Sequence, residues 1–396
     1  MNIIEDGGEN PLLIKKHEKY FRLCMQSLPS KAQSEDSNRL SLIYFCLHGL
    51  GVLGKLNLTD AEKKAYATHV YAHRIIDPSG QIESFRSSQT FQLAVEKKNY
   101  DLPNLSATFF ALINLLALES DYSVKLDRHK IMRFVSKCQV TDGPNKGAFK
   151  PVLDKDGYPF GEVDLRHCYI AASIRKLCKY DELPACDRTN DFNEKDLANF
   201  VLERVNFNGG LSSNKFTESH SGLTFCGIAT LRLLEYDFTN NTQWVETTKK
   251  WLVHRQIDYS SPVYEGQSYS YWMEEDNGSF NGRENKFGDT CYSWWCSASL
   301  KLLDPNGLRL INTEKAIGYL LRKTQSPLLG GFGKDSESFP DPFHSFLGLS
   351  CLSLYKSCEK YNYEGEENLQ EMDETLVITK KLREFLNSHI QFLDLR

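Results

Sequence analysis

A short turn recurs five times along this chain, rich in Gly or Ser and ending in Phe or Leu, and each copy precedes an apolar, helix-forming stretch. The copies are Glu83-Ser84-Phe85-Arg86, Gly147-Ala148-Phe149, Gly209-Gly210-Leu211, Gly278-Ser279-Phe280 and Gly331-Phe332. Their Phe or Leu residues lie 64, 62, 69 and 52 positions apart, the length of a helix–loop–helix pair. Such a unit contacts mainly its neighbours, so the units stack, and each sets its following helix in an equivalent place. Residues just after successive turns are therefore expected to converge.

Apolar spacing sorts the helices into two layers. Leu40, Ile43, Tyr44, Leu47, Leu50 and Gly51 follow an i, i+3, i+4, i+7 pattern, which predicts an amphipathic helix with one buried face. Leu105 to Leu118, Ile170 to Leu177 and Leu223 to Leu234 are apolar nearly all round and read as inner helices. Asp60 to Arg74, Asp127 to Cys138, Glu194 to Arg204, Asn241 to Arg255 and Asn312 to Arg322 mix charge with apolar residues, as half-solvated outer helices do. At 396 residues the chain exceeds an ordinary single core, but a closed ring of repeats over about 39–354 remains one domain spanning 1–396. Residues 1–16 read as a polar tail, Asp181 to Lys195 as a surface insertion, 359–374 as an acidic, mobile link, and 374–396 as holding a last helix.

Composition removes several function classes. A net charge of −5 argues against a nucleic-acid backbone binder, so any anion site must be concentrated. The N-terminus has no secretory apolar core and no apolar run reaches membrane-spanning length. Eleven cysteines, odd in number and several within apolar helical stretches, read as reduced thiols of a cytoplasmic protein.

The chemistry gathers where inner helices start. Asp289-Thr290-Cys291 opens an aromatic, apolar helix, and His344 opens the next inner helix one repeat later. Carboxylate, thiolate and imidazole make a three-ligand zinc set with a fourth position open to substrate. An Asp-x-Cys is more commonly an N-cap beside a buried thiol, and a lone His a satisfied core residue; the shared repeat register raises the metal reading. Arg283, Lys286 and, one repeat earlier, His220 cluster at the same mouth. An Arg fork with a Lys point charge suits a diphosphate, although such a pair is more often a solvated loop. Tyr292, Trp294, Trp295 and Trp272 add an aromatic lining, which is core by default and, beneath a charged rim, a pocket for an anionic amphiphile.

Those residues carry a resemblance. Gly282-Arg283-Glu284-Asn285-Lys286-Phe287-Gly288-Asp289-Thr290-Cys291-Tyr292-Ser293-Trp294-Trp295 resembles the signature of protein prenyltransferase β subunits. So do Gly161-Glu162-Val163-Asp164-Leu165-Arg166, Glu218 to Gly227, and Pro340-Asp341-Pro342-Phe343-His344, all collinear between Arg39 and Leu354. The resemblance implies an α/α toroid with a central cavity for an isoprenoid. It implies that Asp289, Cys291 and His344 bind one zinc, that His220, Arg283, Lys286 and Tyr292 hold the diphosphate, that Trp295 and Tyr44 line the lipid cavity, and that Arg166 and Phe343 lie toward the tail of a bound peptide.

Two positions imply a branch of the family. Ser41 stands where farnesyl-transferring members carry a Trp, which leaves room for a longer isoprenoid. Lys334 stands ten residues before His344, where farnesyltransferases place a magnesium-binding Asp, so its ammonium replaces magnesium beside the diphosphate. The resemblance therefore implies geranylgeranyl transfer of the type I kind, from geranylgeranyl diphosphate to the cysteine of C-terminal CaaX sequences ending in Leu or Phe, on Rho/Rac/Rap-like small GTPases. It also implies a heterodimer with an α subunit. A farnesyltransferase β subunit and a non-catalytic helical ring are the alternatives. Leu223, where an aromatic often sits in farnesyl enzymes, and the insertions near Asp181 and Asn240 depart from the pattern.

Overall fold

The computed structural model describes residues 11–28, 30–88, 102–154, 156–258, 273–356, 358 and 362–393. Its α-helices are α1 (Ile14–Gln26), α2 (Arg39–Val52), α3 (Asp60–Tyr71), α4 (Leu105–Ala117), α5 (Arg128–Lys137), α6 (Leu165–Leu177), α7 (Glu194–Leu202), α8 (Ser221–Leu233), α9 (Thr242–Val253), α10 (Thr290–Leu303), α11 (Thr313–Tyr319), α12 (Pro342–Lys356) and α13 (Lys380–His389). The even-numbered helices form the inner layer: each packs on the next, and α12 packs on α2 to close the ring. Each odd-numbered helix up to α11 packs outside the inner helix that follows it. Strands among the described residues form three short hairpins, β1 (Arg74–Ile76) with β2 (Glu83–Phe85), β3 (Val152–Leu153) with β4 (Pro159–Phe160), and β5 (Met372–Asp373) with β6 (Ile378–Thr379).

Three local devices repeat with the unit. The first is the turn itself, whose Phe or Leu amide donates to a hydroxyl one turn into the next inner helix: Phe85 to Thr108 Oγ1 at 3.0 Å, Leu211 to Thr224 Oγ1 at 2.9 Å, Phe332 to Ser345 Oγ at 2.9 Å. The second is a glycine that lets the turn cross an outer helix. A Cβ on Gly147 would meet Asp196 O of α7 at 2.1 Å, and one on Gly330 would meet the Lys16 backbone of α1 at 2.4 Å. The third is a buried or half-buried Gln. Gln139 accepts from Asn193 N before α7, Gln256 from Asn312 N before α11, and Gln325 from Leu13 N before α1. The last member of both series reaches α1, so the first helix of the chain is the outer helix that seals the final repeat.

That closure corrects the expected tail. Residues 1–10 lie outside the described residues, but Leu12 is buried and its amide donates to Glu364 O at 2.9 Å, and α1 begins at Ile14. A polar-looking start is consumed in the ring seam because His17, buried among Gln325, Gly331 and Phe332, has neutral partners for both nitrogens. The expected single buried face of α2 is also too narrow. From Cys46 to Leu50 every residue is buried, because α1, α4, α12 and β6 surround that half.

The expected acidic link and helix from 374 differ as well. Within the described part, Leu369, Met372, Leu376, Val377 and Ile378 are buried, β5 and β6 pair, and the helix starts only at Lys380, capped by Thr379. Tyr44 Oη of α2 donates to Val377 O at 2.7 Å and Tyr169 Oη of α6 to Thr375 O at 2.9 Å, so apolar contact and inner-helix hydroxyls hold this segment against the ring. The 181–195 insertion is helix-free up to Glu194, and it is pinned: buried Arg175 holds Asp191 at 2.8 Å and Glu194 at 2.7 Å.

Candidate metal and anion site at the inner-helix starts

Each inner helix after α2 begins on a polar N-cap that satisfies an otherwise orphaned amide. Asn104, Asp164, His220 and Asp289 cap α4, α6, α8 and α10, and Asp341 accepts the His344 amide at 2.9 Å in α12. These caps share one register, nine residues after the turn residue in the last three repeats, and so face one end of the ring. Positions two and three beyond the cap project from the first turn. In α10 they are Cys291 and Tyr292; in α12 they are Phe343 and His344.

Adjacent first turns bring Asp289, Cys291 and His344 together. One donor atom from each lies within 4.8 Å of the others, and His344 Nε2 is 3.3 Å from Asp289 Oδ1. Asp341 Oδ2 approaches His344 Nδ1 at 2.5 Å and fixes the ring's orientation. Burial by itself would lower the His344 pKa, but hydrogen bonds and charge from Asp289 and Asp341 outweigh it and push the ring up to about 9. The Asp289 carboxyl, raised by burial, ends below its ordinary value through His344 and Cys291. Burial, followed by the Asp289 charge and hydrogen bond, drives the Cys291 thiol well above its ordinary range.

The chemistry of this donor set fits a divalent cation. Imidazole nitrogen and carboxylate oxygen lie close together, and a metal ion would take the same two atoms together with the neighbouring sulfur. One oxygen, one nitrogen and one sulfur are zinc ligand types, with a fourth position left for substrate. Asp341, on the other ring nitrogen of His344, would complete a carboxylate–histidine–metal arrangement. It was quoted within a motif but given no role from the sequence, although an Asp three residues before a helix-opening His is a readable N-cap signal.

Asp289 of the triplet lines a charged pocket of about 410 Å³, where Arg283, Lys286 and Lys334 stand with Tyr292 and with the carboxylates of Asp276, Asp335 and Glu337. His220 joins it through Tyr292, with Nε2 3.1 Å from the phenol oxygen, while His220 Nδ1 caps α8. Thr290 donates its amide to Lys334 O at 2.8 Å and its hydroxyl to Gly333 O at 2.7 Å, which ties the Lys334 loop to the start of α10. Arg283 is exposed and pairs with Glu218 at 3.2 Å. Buried Asp276 accepts the Gly288 amide at 2.8 Å and lines the same pocket as Asp335 and Glu337; the sequence reading gave none of these three carboxylates a role.

A second, mainly apolar pocket of about 1260 Å³ adjoins Asp341 and contains Ser41, Phe45, Phe110 and Phe343. The Phe343 ring lies 4.9 Å from His344 and 5.3 Å from Phe45, so His344 stands between the charged and apolar pockets. The other assigned residues sit differently. Tyr44 is buried with its hydroxyl committed to Val377, Trp295 is half-buried against Phe225 at 4.9 Å, and Arg166 is exposed and forked onto Asp164. Trp294 is fully buried core, and Trp272 lies outside the described residues.

Comparison with known proteins gives this geometry a family. The prenyltransferase α/α toroid domain matches residues 12–378. The chain belongs to that family, on the branch of the type I geranylgeranyltransferase β subunits. It is 47% identical to a chain of Candida albicans protein geranylgeranyltransferase-I complexed with GGPP, with a TM-score of 0.87 over 96% of this chain and 100% of that one. The type-1 β subunit of Arabidopsis thaliana is 29% identical over 353 residues, covering 86% of this chain and 84% of the relative. Similarity to the farnesyltransferase β subunit of Schizosaccharomyces pombe is lower, 25% over 377 residues. Among the described residues no helix is long and apolar enough to cross a membrane.

Proposed function

We propose that this chain is the catalytic β subunit of a cytoplasmic heterodimer that transfers a geranylgeranyl group from its diphosphate to the cysteine of CaaX sequences ending in Leu or Phe. The observation that carries the reading is the position of His344, bonded to Asp289 on the side of the charged pocket and to Asp341 on the side of the apolar pocket. One bond forms, from cysteine sulfur to the isoprenoid C1, and one breaks, from C1 to the diphosphate oxygen.

Asp289, Cys291 and His344 are the residues that would hold zinc, which when bound supplies a thiolate at neutral pH by lowering the substrate thiol's pKa. Arg283, Lys286 and Lys334 supply positive charge where the diphosphate departs, and Tyr292 and His220 supply hydrogen bonds there. A lysine at 334 provides charge in place of magnesium. Ser41 leaves the apolar pocket open at a point where a Trp would fill it, which favours the longer isoprenoid. Arg166 and Phe343 are assigned to the peptide, and Tyr44 and Trp295 to the lipid.

The test is transfer by the chain co-expressed with an α subunit, using both C15 and C20 diphosphates and peptides ending in Leu or Ser, alongside metal content. One zinc per chain with preference for the C20 donor and the Leu peptide supports the reading. Preference for C15 and Ser moves the chain to the farnesyl branch, and no transfer with no metal makes it a binding ring.

A further inference from the structure

None of the eleven cysteines is in a disulfide, and two of them meet where the mechanism has no use for a thiol. Cys24 lies on α1, half-buried, and lines the apolar pocket together with Tyr20 one turn earlier. Cys46 lies on α2, 2% exposed, next to Phe45, which lines the same pocket. The helices pack directly: the Phe21 ring of α1 lies against Gly49 of α2, and one turn along from that contact on each helix Cys24 and Cys46 come together, with Tyr20 beside them. One sulfur is thus reachable from an open pocket, and a second waits behind it in the core.

Cys24 differs from the fully buried thiols. Burial raises Cys138, Cys168, Cys178, Cys226, Cys296 and Cys351 above their ordinary values, as it does Cys291. At Cys24 the neighbouring Cys46 thiol, opposed by burial and helped by Tyr20, moves the thiol the other way, while the presence of Cys24 together with burial raises Cys46. An accessible sulfur held toward thiolate beside a second cysteine is the arrangement of an attacking and a resolving thiol.

We propose that Cys24 and Cys46 form a reversible disulfide when the protein meets a low-molecular-weight disulfide such as oxidised glutathione, and that the bond clamps α1 to α2 at the wall of the apolar pocket. In the first step the Cys24 thiolate attacks one glutathione sulfur. A protein–glutathione disulfide forms, the glutathione disulfide breaks, and one glutathione thiolate leaves and is protonated. In the second step Cys46 loses its proton to solvent and attacks the Cys24 sulfur, releasing the second glutathione. Two protein thiols are oxidised to one disulfide while one glutathione disulfide is reduced to two thiols. Because α1 is the helix that seals the ring, the clamp stiffens the seam.

The experiment treats the purified heterodimer with oxidised glutathione and maps its peptides without reduction. The expected result is a linked pair of peptides containing Cys24 and Cys46, reversed by dithiothreitol, and a melting temperature for the oxidised form above that of the reduced form. Cys24→Ser yields no link, and Cys46→Ser stops at the mixed disulfide on Cys24. Should Cys46→Ser fail to fold, wild type and Cys24→Ser decide the matter. A stable mixed disulfide on Cys24 in wild type, or an unlinked Cys24 with both thiols still reduced, overturns the proposal.

Discussion

Two histidines, one buried and one largely buried, lie in regions joined by one short segment, and their pKa values shift in opposite directions. His17 in the ring seam stacks on Phe332 at 4.8 Å, accepts from Gly331 N at 2.9 Å and faces Gln325 Oε1 at 2.8 Å. Burial lowers its pKa to about 4, only partly offset by Gln325. His344 is likewise mostly buried, but its two nitrogens face carboxylates and its pKa stands near 9. Depth is shared; partners differ. A buried imidazole with neutral partners is locked neutral and serves packing, whereas one between carboxylates holds a cation in place, be it a proton or a metal ion. Segment Phe332 to Lys334 joins the two regions, since His17 stacks at its start and Thr290 bonds its end.

The comparison breaks outright if metal follows the wrong histidine. His344→Ala, like Cys291→Ala, is expected to abolish both zinc content and transfer, by several orders of magnitude in kcat/KM, whereas His17→Gln keeps its metal and loses only stability. Elemental analysis beside single-turnover assays distinguishes them; full zinc in His344→Ala would reduce the triplet to caps and core.

Acid sharpens the contrast next. A base whose folded pKa is lowered from 6.5 to about 4 contributes no penalty above pH 6.5 and costs stability as pH falls from 6.5 toward 4. For His17 the full effect is about 3 kcal/mol. Denaturant unfolding of wild type and His17→Gln across that window is expected to show their stability gap closing as pH falls. In metal-free protein His344 has the reverse sign: its contribution is complete below pH 6.5 and is lost as pH rises through about 9. A parallel pH dependence for the two histidines contradicts the assignment of partners.

Asp341→Asn tests how far the orienting carboxylate matters. Loss of such a partner is expected to weaken zinc binding roughly 10–100-fold, readable by competition with a chromophoric chelator. Asn104→Ala removes a cap in the same register and is expected to cost about 1 kcal/mol of stability with no change in metal affinity. The smallest effect belongs to the connecting segment. Lys334→Asp reverses one of three positive charges in the charged pocket and creates an oxygen ligand, so transfer is expected to slow modestly without magnesium and to recover partly with it. Wild type is expected to be indifferent to magnesium; a variant matching wild type at every concentration would make Lys334 an idle loop lysine.

Much of this was legible before folding because it is local. Caps, turn residues and apolar runs are set by neighbours within one or two turns, so α4, α8 and α10 start within a few residues of the expected positions, and Asp289, Cys291 and His344 fall in one register. Asp341 was readable but unread. Other features were not local. The Gln139, Gln256 and Gln325 series makes sense only when each Gln meets the next outer helix, and the hydroxyls of Tyr44 and Tyr169 find Val377 and Thr375 more than two hundred positions away.

The sequence by itself determined a repeating helical unit, its inner and outer faces, and the polar residues that open each inner helix, because periodicity and capping depend on short-range sterics and hydrogen bonding. Only the tertiary structure decided that the ring closes through α1, that residues 372–379 pack against the inner helices, and that His17 is neutral while His344 is held between two carboxylates. Those outcomes depend on rotation accumulated from unit to unit and on the field of groups far away in the chain, and neither quantity is carried by any single stretch of residues.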